Sequence, residues 1–265
     1  MNFDDVDILF YTLGTIRGGN GYAYCGNDPI QYYDPYGYER IVVSGSEYGA
    51  PRYKYNFIEP AIKKLSEKGN FTWIISKTGY SNKDIEKFRS VAKKINVKLV
   101  LIDNANELYN YINSKSITSN KLSSTRKIDL ISEFTLFSHG LPGVVSLGYN
   151  QGNKTKSLEM TTSGLQSKMD KKAFASFQYS TFYSCNAGTY PKTPYNSFAQ
   201  AWANVAGGTT KAAYGTTYYG DINKNQSLIN RARWKIDGFY RNGSKNYPVL
   251  SSGVKWGYFY RNPSF

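Results

Sequence analysis

Histidine is almost missing from this chain: His139 is the one residue of its kind among 265. Cysteine occurs twice, at Cys25 and Cys185. A zinc centre built on Cys and His needs about four such ligands, so no metal site is expected. Two thiols allow one pairing at most, which is no disulfide framework. Any catalysis that needs an imidazole must use His139. No window approaches the roughly 18 to 20 continuous apolar residues of a membrane helix, so no membrane span is expected. No basic segment followed by an apolar one opens the chain, so a secretory signal peptide is not expected either.

What the chain has in quantity is tyrosine, with 25 residues, and positive charge, net +14. The charge is unevenly placed. The first 40 residues hold two basic and six acidic side chains, net −4, and the remaining 225 carry +18. That asymmetry suggests two pieces of different origin or role. A strongly basic body attracts nucleic acid, anionic membrane surfaces or acidic proteins. Equally, scattered lysines simply keep a protein soluble. The length allows one large domain or two small ones, with a core large enough to need no staples.

Residues 20–37 alternate short aromatic runs with turn formers, Asn27-Asp28-Pro29 and Asp34-Pro35-Tyr36-Gly37. Such a segment cannot make a stable core alone. Asn20, Tyr22, Tyr24, Asn27, Pro29, Asp34, Pro35 and Gly37 fall where the closing string of an Rhs/YD-repeat core has its fixed residues, and the passage resembles that string. The resemblance implies a boundary. Residues 1–39 would end a repeat shell, and 40–265 would be a C-terminal toxin or effector, released by cleavage just past the motif.

The body alternates apolar runs with amphipathic segments. Strands are expected over 40–45, 71–76, 97–102, 134–138, 177–184 and 210–214. Helices are expected over 56–68, 107–114 and 197–206, with another behind a capping box at Ser81–Asp84. Residues 115–127 read as a polar surface loop or linker and 144–149 as a short hairpin arm. This is the pattern of an α/β fold, a mostly parallel sheet of about six strands with helices on both faces. The core is expected over about 40–215. The Tyr/Trp-rich tail, 216–265, reads as extra β-hairpins packed on the sheet.

Open α/β sheets place their sites outside the carboxyl ends of the strands. His139-Gly140 lies at one such predicted end and Cys185 at another. A cysteine nucleophile needs a base nearby and backbone N–H donors for the oxyanion. Gly140 lets main chain approach closely, and Ser184-Cys185-Asn186-Ala187-Gly188 should turn sharply, exposing the sulfur. The ordered series strand–His-Gly, arm, helix, strand–Ser-Cys-Asn-Ala-Gly, helix, strand resembles the caspase-like cysteine peptidases of clan CD, closest to their bacterial CHAT-type relatives. That resemblance implies His139 as general base or acid, Cys185 as nucleophile, the N–H groups of Gly140 and Cys185 as oxyanion donors, and no cofactor. Ser184, Asn186 and Gly188 would line the substrate. Arg126 and Lys211 are candidates to hold an acidic substrate side chain, and Asp129 and Glu133 are the nearest carboxylates in sequence to orient His139.

The resulting expectation is a cysteine endopeptidase acting as a toxin on a protein of a target cell, delivered there by a specialised secretion system. Its partners would be the Rhs shell and an acidic immunity protein. One alternative is a protease that processes its own chain. Another is a toxin acting on nucleic acid through the basic surface. A nuclease, however, usually needs His or clustered carboxylates, and 13 acids spread over residues 41–265 offer little. A third is a silent binding module using its aromatics.

Overall fold

The structure is a computed structural model that describes residues 38–47, 53–67, 69–149, 151–191, 197–219 and 247–263. The chain divides after Gly37 into two units, and every described residue belongs to the second, Tyr38–Phe265. The string at 20–37, Cys25 and the tail between 220 and 246 lie outside the described residues.

The second unit is an α/β fold built on seven strands. In chain order the first elements are β1 (Glu39–Ser44), α1 (Glu59–Leu65), β2 (Phe71–Ser76), α2 (Asn82–Lys94), β3 (Lys98–Ile102), α3 (Ala105–Ser114), α4 (Ser124–Ile128) and β4 (Ile131–Phe137). A small antiparallel sheet comes next, β5 (His139–Leu141), β6 (Val144–Ser146) and β7 (Glu159–Thr161), then α5 (Thr162–Lys168), β8 (Phe174–Tyr183), α6 (Phe198–Ala206) and β9 (Thr209–Ala213). The tail adds β10 (Thr217–Tyr218), β11 (Val249–Leu250) and β12 (Trp256–Tyr260). The main sheet runs β12-β9-β8-β4-β1-β2-β3. Its strands are parallel except β12, which runs antiparallel to β9.

Central strands buried on both faces are mostly apolar, and the middles of β1 and β2 are: Ile41–Val43 and Trp73–Ile75. Ile41, Val43 and Ile74 face a core shared with Leu108, Phe134, Phe182 and Trp202. Val42, Trp73 and Ile75 face a second core with Phe57, Ile62, Phe88 and Phe137. Helix α2 opens with the expected capping box: the Ser81 hydroxyl accepts from the Asp84 N–H, and the Asp84 carboxylate accepts from the Ser81 N–H. Helix α6 is capped by Ser197 and stops at Gly207, whose φ of 75° is left-handed.

Three expectations need correction. The sheet has seven strands rather than about six, because the tail supplies an edge strand, β12, instead of only hairpins laid on the sheet. The first helix begins at Glu59, not Asn56: Pro60 suits a first turn, where its missing N–H costs nothing. The stretch at 115–127 is not merely a surface loop. It leads into α4, and Arg126 there is wholly buried, its Nη1 2.7 Å from Glu39 Oε2. Arg126 also donates to the carbonyls of Ile112, Tyr111 and Asp129. This buried ion pair ties α4 to the first residue of β1. No described helix is long and apolar enough to cross a membrane.

Candidate functional site

Strands β4 and β8 are parallel neighbours in register, with Phe137 opposite Tyr183. The two rings stack at 4.9 Å. One residue on, the Ser138 and Ser184 hydroxyls meet at 2.9 Å on the other face. His139 and Cys185 come next at the same level, from backbones that a sheet holds about 4.8 Å apart. Gly140 makes the contact between the two chain ends tight. A Cβ there would overlap the Cys185 carbonyl oxygen and lie 3.0 Å from Ser184 Cβ. Gly140 is therefore required by the approach of the cysteine turn itself, and it is buried.

The imidazole and the sulfur belong to the same layer of the molecule. The His139 ring meets Phe57 edge-on at 4.9 Å, Phe57 meets Tyr219 at 5.0 Å, and Tyr149 lies 5.4 Å from the imidazole. The segment carrying Tyr219 passes Cys185: the Thr217 N–H points at Sγ from 3.4 Å and the Thr217 hydroxyl lies 3.4 Å from it. A thiolate formed there would find two donors. The Tyr219 hydroxyl donates to the Tyr183 carbonyl. Burial pushes that phenol well above its ordinary value, and Cys185, Tyr183 and Glu47 nearby add to the effect, so it stays neutral.

The turn after Cys185 is as sharp as its composition suggests. Asn186 adopts φ 57°, a left-handed conformation that Asn tolerates better than most residues. The Asn186 and Gly188 N–H groups are used by the carbonyls of Gly215 and Ala213. Ser184 is fully buried and Gly188 is packed against Phe259. Both shape the turn. Asn186 is half-buried at its bend.

The carboxylate beside His139 is one the sequence did not suggest. Glu47 Oε2 lies 3.1 Å from His139 Nε2, with the two side chains 13% and 27% exposed. It arrives there because β1 continues past the sheet. The Gly45 N–H donates to the Phe137 carbonyl and the Ser46 N–H to the Leu147 carbonyl, while the Tyr80 hydroxyl donates to the Gly45 carbonyl. Asp129 instead pairs with Lys115, and Glu133 with Arg40 and Lys64, so neither orients the imidazole. Arg126 is buried beside Glu39, at the amino end of the sheet. Lys211 sits over the Trp256 ring at 4.8 Å and lines a cavity of about 360 Å³ with Arg40, Lys64, Glu133 and Tyr179. Tyr183 and Tyr247, which stack with Phe137, line the same cavity. No cluster of three or more metal-ligating side chains occurs among the described residues.

Comparison with family models, curated proteins and solved structures gives no match. The chemistry of the site itself is therefore the guide to its function.

Proposed function

We propose that the protein is a cysteine endopeptidase with Cys185 as nucleophile and His139 as its base, on a caspase-like scaffold. The observation that carries this reading is positional. The chain's single imidazole and one of its two sulfurs each follow, two residues on, the last paired residues of neighbouring, in-register parallel strands, at the carboxyl rim where α/β folds hold their sites.

In this reading His139 takes the Cys185 proton as sulfur attacks the scissile carbonyl carbon. The tetrahedral oxyanion collapses to a thioester, and the C–N bond breaks as the imidazolium gives its proton to the leaving amine. Water, deprotonated by His139, then hydrolyses the thioester and regenerates the thiol. Glu47, on Nε2, orients the ring toward its work. The Cys185 N–H is the oxyanion donor this scheme calls for.

Several expectations bear on the setting of this reaction. A role as the toxin tip of an Rhs-type system rests on the string at 20–37 alone. So does delivery into a target cell, whereas the acidic character of an immunity partner rests on the +18 charge of residues 41–265. The test is direct. The purified chain should cleave an unfolded protein substrate, and both Cys185→Ala and His139→Ala should abolish cleavage. Cleavage that persists in Cys185→Ala would overturn the proposal. A chain that shortens in wild type but not in Cys185→Ala, with no other substrate cut, would favour self-processing.

A further inference from the structure

Large apolar side chains are exposed along one rim of the molecule. Tyr53, Leu141, Tyr149, Tyr190, Tyr214 and Tyr218 are all between 40% and 53% exposed. Each follows the carboxyl end of a main-sheet strand. Tyr53 comes after β1, Leu141 closes β5 directly after β4, and Tyr149 follows β6 of the same arm. Tyr190 comes after β8, Tyr214 directly after β9, and Tyr218 lies in β10. That is the rim carrying His139 and Cys185. One of these positions touches the site and another lies beside the arm that carries it. Tyr149 lies against the imidazole, and Pro191, next to Tyr190, comes within 3.8 Å of where a Cβ of Gly143 would lie, beside Leu141.

Among the described residues, charges close to this rim are engaged. Glu47 faces His139, Lys54 pairs with Asp84 at 2.5 Å, and Lys77 pairs with Asp103 at 2.9 Å. The described surroundings of the sulfur, Thr217 and Tyr219, are neutral. A charged side chain brought next to the scissile bond would lose water and meet ring edges among the described residues, which is costly. A large apolar one would bury its surface against those rings, which is favourable.

We infer that the substrate is an extended polypeptide segment that presents a large aromatic or aliphatic side chain, not a charged one, beside the scissile bond. This rests on the Cys185–His139 reading. Peptidyl acyloxymethyl ketones identical except for a terminal Phe, Leu, Asp or Lys test it on the full chain, with modification of Cys185 followed by intact mass. The Phe and Leu probes should react about tenfold or more faster than the Asp and Lys probes. The double variant Tyr149→Ser, Tyr190→Ser should shrink that ratio, whereas Tyr258→Ser, on the open sheet face, should leave it unchanged. Fastest reaction with Asp or Lys would overturn the inference while leaving the cysteine peptidase standing. A Phe preference that survives the double variant unaltered would overturn the assignment of the rim. If no probe modifies Cys185 above the Cys185→Ala background, the peptidase reading falls and the inference with it.

Discussion

Replacing Gly140 with alanine adds one methyl group at the most crowded point of the candidate site. The added Cβ would overlap the Cys185 carbonyl oxygen and would lie 3.0 Å from Ser184 Cβ and 3.2 Å from the Cys185 carbonyl carbon. The φ of Gly140 is not left-handed, so alanine brings no intrinsic backbone strain there. The whole effect is steric, and its target is backbone, which cannot swing aside as a side chain tip can. Restoring ordinary contact requires the His139 and Cys185 turns to separate by about 1 Å. Overpacking of this kind costs about 1–3 kcal/mol of stability, and a displacement of about 1 Å in a reacting pair can cost about 10²-fold in rate. Gly140→Ala should therefore remain folded with a lowered urea midpoint, while cleavage of an unfolded substrate falls by about two orders of magnitude. Ser184→Ala gives a comparison at the same contact: it removes a hydroxyl and adds no bulk, so its rate should fall far less. Wild-type cleavage by Gly140→Ala would refute the claim that the two turns must stay locked together for activity.

Glu47→Gln keeps the shape beside Nε2 but removes the negative charge. It should lower kcat by about tenfold or more with little change in KM or thermal midpoint, and Glu47→Asp should recover part of the loss. Glu39→Gln should destabilise by about 3 kcal/mol in urea titration, because it strips the anion from Arg126, a cation with no exposure to solvent. A loss below about 1 kcal/mol would mean that the three carbonyls around Arg126 suffice. Burial pushes Asp84 up, but hydrogen bonds from Lys54, Ser81 and Tyr55 outweigh it and hold its carboxyl well below the ordinary 3.8. Glu39 is lowered from its ordinary 4.5 in the same sense: burial raises it, and Arg126 and Lys115 overcome that. A carboxyl depressed in the folded state stabilises above its unfolded value and loses that contribution as pH falls through the folded one. Stability should thus be level from about pH 7 to about pH 5 and decline below about pH 4. Asp84→Asn should be less stable at neutral pH and lose less on acidification.

The sheet is legible in the sequence because its central strands announce themselves. Phe71–Ser76 is apolar or β-branched apart from its last residue and is buried along its whole length, as a strand covered on both faces must be. The capping box at Ser81–Asp84 marks the start of α2 without reference to anything distant. What local pattern cannot give is the order of strands. Nothing in Trp256–Tyr260 says that it pairs with Thr209–Ala213, since an edge strand with exposed Tyr258 and Tyr260 has the same alternation as a free hairpin. Arg126 escapes a local reading for a related reason. Its polar neighbours at 115–127 suggest water, but its partner Glu39 is 87 positions away in sequence, and a buried pair leaves no signature at either position.

The site follows the same division. His139 and Cys185 are rare residues at strand ends, so chemistry and position can be read together. Glu47 is an ordinary glutamate, 92 positions from His139, in a stretch that looks like a loop. The signal that could have found it is geometric. A residue three past the end of a strand lying next to the strand that leads into the histidine should emerge on the same rim, and after β1 that residue is Glu47. The rule can be inverted to rank carboxylates. Asp129 and Glu133 are near His139 in sequence but precede it on the amino side of β4, and a strand of this length separates them from the rim by about 3.3 Å per residue. Sequence distance misleads here because a parallel sheet gathers what lies beyond its carboxyl ends. An orienting group should be sought after the neighbouring strands, not next to the residue it orients.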